Sequence, residues 1–292
     1  MTKEKAPAIE TALYGGKVKI KFFPDSHSYW IDGKRKTGVT TLIGIKDKST
    51  ALVSWATELC ADFLIEKLER GGKITEADIL EAQVLHTVRK TEAADLGTKI
   101  HDFCEKYIKH KLKQKGYESF PDMPDEEAVQ IGINAFLDWE KEHSVKFISS
   151  ERIIYSKKHD FLGKMDIEAK VDGEVCLVDL KSSSGLYNTV RLQTAAYLKA
   201  DEEERKQKVY AGRWAIRLAK ETEDEYSARM NKKNEKRIRN GKEPVEYPGY
   251  KVFEAMHLDE TKGMLEDDFE AFLSAMNLHR WDKRTDFFYN KK

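Results

Sequence analysis

Two carboxylates and an ammonium stand at spacings that bring them together. Asp172-Gly173 separates two alternating runs, residues 163–171 and 174–181, and an Asp-Gly pair between such runs is the signal of a two-residue β-hairpin turn. With that turn, Val171 opposes Glu174 and Asp166 faces Asp179 directly. Met165, Ile167, Ala169, Val171, Cys176, Val178 and Leu180 then share the other, apolar face. Like charges opposite one another, about 5 Å apart, repel, and half-burial strengthens the repulsion. A divalent cation turns it into chelation. Asp179 and Lys181 are two residues apart on one strand, so both point to the same side, where the ammonium can hold a phosphate oxygen or orient a water. An isolated Asp-x-Lys is commonly a solvated hairpin face with the Asp paired to Lys164 or Lys181. The hairpin register and the preceding Gly163-x-x-Asp166 favour the cation reading.

The elements that must position this hairpin follow from periodicity. Residues 17–45 read as β: Val18, Ile20 and Phe22 alternate with lysines, Tyr29-Trp30-Ile31 runs into the turn signal Asp32-Gly33, and Val39-Thr40-Thr41-Leu42-Ile43 is β-branched. Ser49 or Thr50 is placed to cap a helix whose Leu52, Val53, Ala56, Leu59, Cys60, Phe63 and Leu64 recur at helical spacing up to Gly71-Gly72. Thr75-Glu76-Ala77-Asp78 resembles a capping box. The helical pattern after it runs to about Lys115, long for one globular helix, and a break is expected near residues 95–98. Another helix is expected over 125–143. Strands are expected over 147–156, 162–171 and 174–181, a short helix over 190–200, and paired strands over 210–218 and 250–258. Between the last two lies a polar stretch, 220–248, that cannot build a core. A closing helix, about 260–281, carries Met264, Phe269, Phe272, Leu273 and Met276 inward. The fold class expected is α/β, a central mixed sheet flanked by helices with an α-helical N-terminal portion.

Composition bounds the function. The 292 residues carry 51 Lys+Arg and 51 Asp+Glu. A polycation is excluded, while a local basic surface for nucleic acid is not. With 35% charged and 40% apolar residues and no apolar run of about 18, the composition is that of a soluble globular protein and not of a membrane span. Cys60, Cys104 and Cys176 are scattered and odd in number, which argues against a disulfide framework or a four-cysteine metal site and for a reducing compartment. The first ten residues, acidic and without an apolar core segment, read as neither a secretory signal nor a transit peptide.

Gly163-Lys164-Met165-Asp166, then Asp179-Leu180-Lys181, then Gln193-Thr194-Ala195-Ala196-Tyr197 resembles the PD-(D/E)XK nucleases of the RecB-like branch, which show G-x-x-D, D-x-K and Q-x-x-x-Y in this order. Upstream, Gly97-Thr98-Lys99-Ile100-His101 followed by Glu105 is similar to that branch's G-x-x-x-H helix. Residues 38–43 and 52–56 look like the opening segment of phage-type exonucleases and mitochondrial genome-maintenance exonucleases. The likeness covers residues 27–220. It implies a restriction-endonuclease-like core and a single nuclease domain over 1–292. Its parts would be an N-terminal β segment (1–48), a helical arch or wall (49–145), a catalytic core (146–220 and 250–281) and a polar basic insert (221–249). It implies metal ligation by His101, Asp166, Asp179 and the Leu180 carbonyl, Lys181 as catalytic lysine, and Gln193 and Tyr197 as auxiliary residues, with Glu151 and Glu105 as further auxiliary candidates. Mg²⁺ or Mn²⁺ would be the cofactor. No iron–sulfur cluster is expected from three scattered cysteines, and no ATP use, since no G-x-x-x-x-G-K-[ST] loop is present. Read from the residues alone, His101 is an ordinary helical histidine, Gln193 and Tyr197 are an i, i+4 pair consistent with packing, and Glu151 fits a salt bridge equally well.

The activity so implied is metal-dependent exonucleolytic hydrolysis of DNA leaving 5′-phosphates, of phage or bacterial type, in recombination, replication or degradation. The alternatives are an endonuclease or nickase on the same core, or a DNA-binding scaffold without chemistry. The expected partner is a single- or double-stranded DNA end, with an annealing protein or a second copy as further possibilities, in the cytoplasm of a bacterial or phage-infected cell. Two basic clusters offer a DNA path: Lys109 and Lys113 beyond His101, and Lys232, Lys233, Lys236, Arg237 and Arg239 in the insert, with Tyr226, Tyr247 and Tyr250 near the second. Acidic segments at 122–127, 201–204 and 266–270 are expected to lie away from that path. The ordinary fate of such charge runs is a solvated surface.

Overall fold

The computed structural model describes residues 6–46, 48–261 and 263–284. Residues 1–5, part of the N-terminal stretch considered above, lie outside the described residues, as do 47, 262 and 285–292. Two compact units are present among the described residues, one of them Lys46–Lys99 and the other the remainder. The boundary falls inside a long helix, so the segment 49–145 does not form one body.

The larger unit is built on two sheets. Strands β1 (Ile9–Leu13), β2 (Val18–Phe23), β3 (Ser28–Ile31) and β4 (Lys34–Lys36) form an antiparallel meander. The alternation of β2 puts Val18, Ile20 and Phe22 on one face, where they pack with Tyr29, Ile31 and Leu13 against Ile153, Tyr155 and Leu162. The second sheet holds β5 (Lys146–Ser156), β6 (Phe161–Val171), β7 (Glu174–Lys181), β8 (Gly212–Leu218) and β9 (Phe253–His257) in sequential order. It is mixed, because β7 and β8 run parallel and the other pairs antiparallel. A parallel pair needs a crossover, and α5 (Thr189–Arg205) supplies it. The α/β class with a mixed central sheet flanked by helices is as expected.

Two expectations about secondary structure change. Residues 39–43 form a short helix, α1 (Val39–Ile43), not a strand. Val39, Leu42 and Ile43 are buried at helical spacing in the cluster that also holds Ala196, Tyr197 and Phe272, and packing there overrides β-propensity. One parallel bridge, Gly38 to Leu162, is all that remains of a strand. Second, α3 (Glu76–Lys111) continues unbroken through residues 95–98. A glycine inside a helix costs only about 1 kcal/mol, and Ala93, Ala94 and Leu96 beside it favour helix. The polar stretch after β8, expected to build no core, carries a helix, α6 (Glu223–Arg239), opened by a capping box between Thr222 and Glu225, with Met230 its one buried residue.

In the smaller unit, α2 (Ser49–Glu69) starts after Lys48 without a side-chain cap, in place of a Ser49 or Thr50 cap. None of its residues is buried, and Leu52 and Val53 are exposed, against the inward face expected. The Thr75 capping box is present: Asp78 accepts from the Thr75 amide at 2.8 Å and hydroxyl at 2.6 Å. Back in the larger unit, α4 (Glu127–Glu142) buries Val129, Ile133, Phe136 and Trp139. The closing helix α7 (Met264–Asp282) buries Phe272 and Met276, with Met264, Phe269 and Leu273 half-buried. No helix among the described residues is long and apolar enough to cross a membrane.

Candidate active site at the end of the β6–β7 hairpin

Asp172 and Gly173 both take positive φ, 51° and 94°, the backbone of a type I′ turn. The register is the one expected, Val171 facing Glu174 through to Ile167 facing Val178. The ladder stops there, one step short of Asp166 and Asp179. The Asp166 Oδ2 instead accepts the Leu180 amide N–H at 2.9 Å, so a side chain replaces the next ladder bond and the strands part where the carboxylates begin.

Asp179 is fully buried, and neither of its oxygens accepts a well-formed hydrogen bond. The Lys181 ammonium lies against Oδ2 and 3.5 Å from the Leu180 carbonyl oxygen. Burial raises the Asp179 carboxyl to about 6 despite the opposing lysine, and burial raises Asp166 as well. Lys181 is itself lowered by burial, but Asp179 and Asp166 outweigh this and hold it above its ordinary value.

A third carboxylate completes a row. Ser150 faces Ile167 and Arg152 faces Met165, so Glu151 between them lies level with Asp166. Its φ of 56° is left-handed, an unusual conformation for a glutamate inside a strand and one that costs energy. Glu151 contacts Lys164, its Oε2 otherwise lacks a partner, and burial followed by the Asp166 charge lifts it to about 7. Three neighbouring strands thus each contribute one carboxylate at one level of the sheet, Asp179 fully buried and Glu151 and Asp166 half-buried.

Helix α3 brings His101 alongside, with Nδ1 4.0 Å from the Asp166 Oδ2. Burial, then the Lys181 charge, drops the imidazole to about 4, leaving it neutral at pH 7 with a lone pair to donate. Glu105, one turn on, is gripped by Lys109, and its charge adds to the rise of Glu151.

The motif on α5 packs against the hairpin. Gln193 Nε2 donates to the Tyr197 hydroxyl at 3.1 Å. A β-carbon at Gly163 would overlap the Tyr197 ring, so this glycine is required by a close approach and not by backbone freedom. The Tyr197 hydroxyl is raised by burial and then by Tyr29, Asp179 and Asp166, which all lie near it.

Three residues of this neighbourhood are absent from the sequence-derived site. Lys164 contacts Glu151. The Tyr29 hydroxyl is raised by burial, then by Glu151 and Asp166. The Cys104 thiol is buried and pushed up, by burial first and then by Asp166. Lys164 is two residues from Asp166 and shares its side of the strand, but in sequence it reads only as a surface partner of the Asp, and a lone helical cysteine reads as core, so the fold is needed to place them at the site.

The basic residues divide differently. Lys109 turns its head to Glu105 and the Tyr117 hydroxyl, 3.2 Å away, and so is not a surface contact. Lys113 is exposed just past α3. Lys232, Lys233, Lys236, Arg237 and Arg239 all lie on α6. Lys233 stands 5.7 Å over the Tyr247 ring, and Arg237 donates to the Glu243 carbonyl at 2.8 Å. Tyr226 and Tyr250 use their hydroxyls to hold the backbone at Pro248 and Glu221. Among the acidic segments, Asp201 is not a surface charge but is buried on Arg152 and Arg205.

Among the described residues no group of three or more His, Cys, Asp or Glu side chains stands arranged to hold a metal ion. The buried oxygens of Asp179 and Glu151 nevertheless lack hydrogen-bond donors. Carboxylate oxygens, a backbone carbonyl and a neutral imidazole are the donor types that Mg²⁺ or Mn²⁺ accept. Asp166, Asp179, the Leu180 carbonyl and His101 could hold such an ion, with Glu151 beside them. The sequence matches no protein-family model and no curated protein sequence.

Proposed function

We propose that the chain is a metal-dependent nuclease that hydrolyses phosphodiester bonds at DNA ends. The observation that carries this reading is the row Glu151, Asp166 and Asp179, side by side on three strands, with Asp179 fully buried and the other two half-buried, oxygens of Asp179 and Glu151 without hydrogen bonds, and a lysine at its edge. Such a row is unfavourable by itself, and a divalent cation is the partner that makes it favourable.

A bound Mg²⁺ or Mn²⁺ would supply Lewis acidity toward a phosphate oxygen and lower the pKa of a bound water. The protein's own groups do the rest. Asp179 and Asp166 would hold the cation, and the Asp166–Leu180 hydrogen bond fixes one carboxylate against the other strand. His101 contributes a neutral nitrogen. Lys181 stays charged beside Asp179 and is the group to stabilise negative charge building on phosphate or to orient the attacking water. Tyr197, held by Gln193, closes the side of the site toward α5. The resemblance adds exonucleolytic cleavage and a 5′-phosphate product to the proposal.

The test uses end-labelled linear and circular DNA, each single- and double-stranded, with Mg²⁺ or Mn²⁺, alongside Lys181→Ala. Metal-dependent release of nucleotides from linear substrates alone supports the exonuclease. Cutting of circles moves the reading to an endonuclease on the same core. No cleavage of any substrate overturns the enzyme reading.

A further inference from the structure

The two faces of the β1–β4 sheet differ sharply. One is the apolar face packed on Ile153, Tyr155 and Leu162. On the other, one lateral row crosses all four strands, Glu10, Lys21, Trp30 and Arg35, because Glu10 pairs with Lys21, Lys21 with Trp30 and Trp30 with Arg35. Lys19 and Phe23 flank the row on β2. Trp30 and Phe23 stand edge to face with ring centroids 6.5 Å apart, and Phe23 is 39% exposed. A cavity of about 700 Å³ opens on this face, lined by Lys19, Lys21, Phe23 and Trp30 among others.

Among the described residues three cations and two carboxylates stand on this face: Lys19, Lys21 and Arg35, with Glu10 and Asp32. Lys34 and Lys36 lie opposite Ile31 and Tyr29 of the packed face and do not belong to it. Glu10 is matched by Lys21 at 2.8 Å and Lys36 by Asp160, while Lys19 and Arg35 make no ion pair among the described residues. Two aromatic rings on a sheet face, with Lys19 and Arg35 beside them, are the features that bind unpaired nucleic acid: bases stack on the rings and phosphates lie along the cations. Duplex DNA hides its base faces and would leave Trp30 and Phe23 unused.

We infer that the outer face of the β1–β4 sheet, centred on Trp30 with Phe23, Lys19 and Arg35, binds single-stranded DNA. The choice of DNA rests on the nuclease reading; the stacking surface does not. Tyr29, the neighbour of Trp30 on β3, is turned to the opposite face and senses Glu151 and Asp166. The surface therefore lies across the sheet from the site and holds a strand away from the chemistry without contacting the scissile bond.

The test is fluorescence anisotropy of a labelled oligothymidylate of about 12 nucleotides with the full chain in EDTA, so that binding is read without cleavage and whatever the fate of the nuclease reading. Trp30→Ala should weaken binding about tenfold, and Trp30→Phe should restore most of it. The double variant Lys19→Ala/Arg35→Ala should lower the slope of log affinity against log salt by about 1.4, roughly 0.7 for each phosphate no longer neutralised. Thermal unfolding of each variant checks that the fold is kept. Wild-type binding by folded Trp30→Ala and by the double variant overturns the proposal. So does equal Trp30 dependence with duplex, tighter binding of oligouridylate, or no binding at all. A concentration-dependent dimer in sedimentation, abolished by Trp30→Ala, would assign the face to a second copy instead.

Discussion

Two buried acidic clusters lie a few residues apart on β5 and β6, and the fold treats them oppositely. In the first, Glu168 accepts from Arg205 at 2.8 Å and Ser149 at 3.0 Å. Asp201 accepts from Arg152 at 2.7 Å and Tyr210 at 2.6 Å and pairs with Arg205. Arg152 also reaches Glu204 at 2.8 Å. Every carboxylate in it has guanidinium donors of fixed geometry. In the second, Glu151, Asp166 and Asp179 have two flexible lysines and one backbone amide among them, and three carboxylate oxygens are left without a hydrogen bond. The first cluster ties α5 to the sheet. The second leaves oxygens of Asp179 and Glu151 unsatisfied, and buried polar groups left unsatisfied are kept where a ligand completes them.

Function should separate the clusters most strongly. Asp179→Ala and Lys181→Ala should each lower DNA cleavage by about a thousandfold or more, measured on end-labelled substrate at saturating Mn²⁺. Folded Arg205→Ala should stay within severalfold of wild type. A variant at Asp179 with undiminished rate would erase the distinction.

Stability should separate them in the reverse sense. Arg205→Ala leaves the buried Glu168 with no cation and only the Ser149 hydroxyl and should cost about 3 kcal/mol in urea unfolding. Asp179→Asn removes repulsion and should be neutral or stabilising in cation-free buffer. A next, smaller effect is linkage: Mn²⁺ at a hundredfold excess over its Kd should stabilise wild type by about 2.7 kcal/mol, read as a shift in the denaturant midpoint, with no shift in Asp166→Asn/Asp179→Asn.

The smallest effect is the pH dependence of the cation-free protein. The Asp179 carboxyl is raised in the folded state to about 6, so between about pH 4 and pH 6 the folded chain binds more protons than the unfolded one. Stability from this group is present at low pH and falls as pH rises through that window. Wild type should therefore lose stability relative to Asp179→Asn on going from pH 4 to pH 7. A parallel pair of curves would mean that Asp179 is not desolvated as described.

Much of the second cluster was legible in sequence because a two-residue turn fixes a register. Asp172-Gly173 set Asp166 level with Asp179, and the observed ladder follows that count up to Ile167 and Val178. What the count missed is that a side chain replaces the next backbone bond, since only tertiary geometry decides where strands part. Glu151 was found by position, but not its left-handed backbone. The first cluster was invisible: Arg152, Asp201 and Glu204 are separated by up to 52 positions, and Asp201 looked like one of a surface acidic run. Residues 39–43 misled because burial on three sides, not β-branching, decided their conformation.

The close packing of Gly163 and Tyr197 has a consequence for how such a chain can change. The two positions, 34 apart in sequence, occupy one volume, so neither is free to vary alone. Gly163→Ala meets the ring whether position 197 is Tyr or Phe, whereas a small residue at 197 would admit the methyl but abandon the hydroxyl near Asp166 and Asp179. Any route that enlarges residue 163 passes through loss of that hydroxyl, which makes the glycine of one motif the guardian of the tyrosine of another.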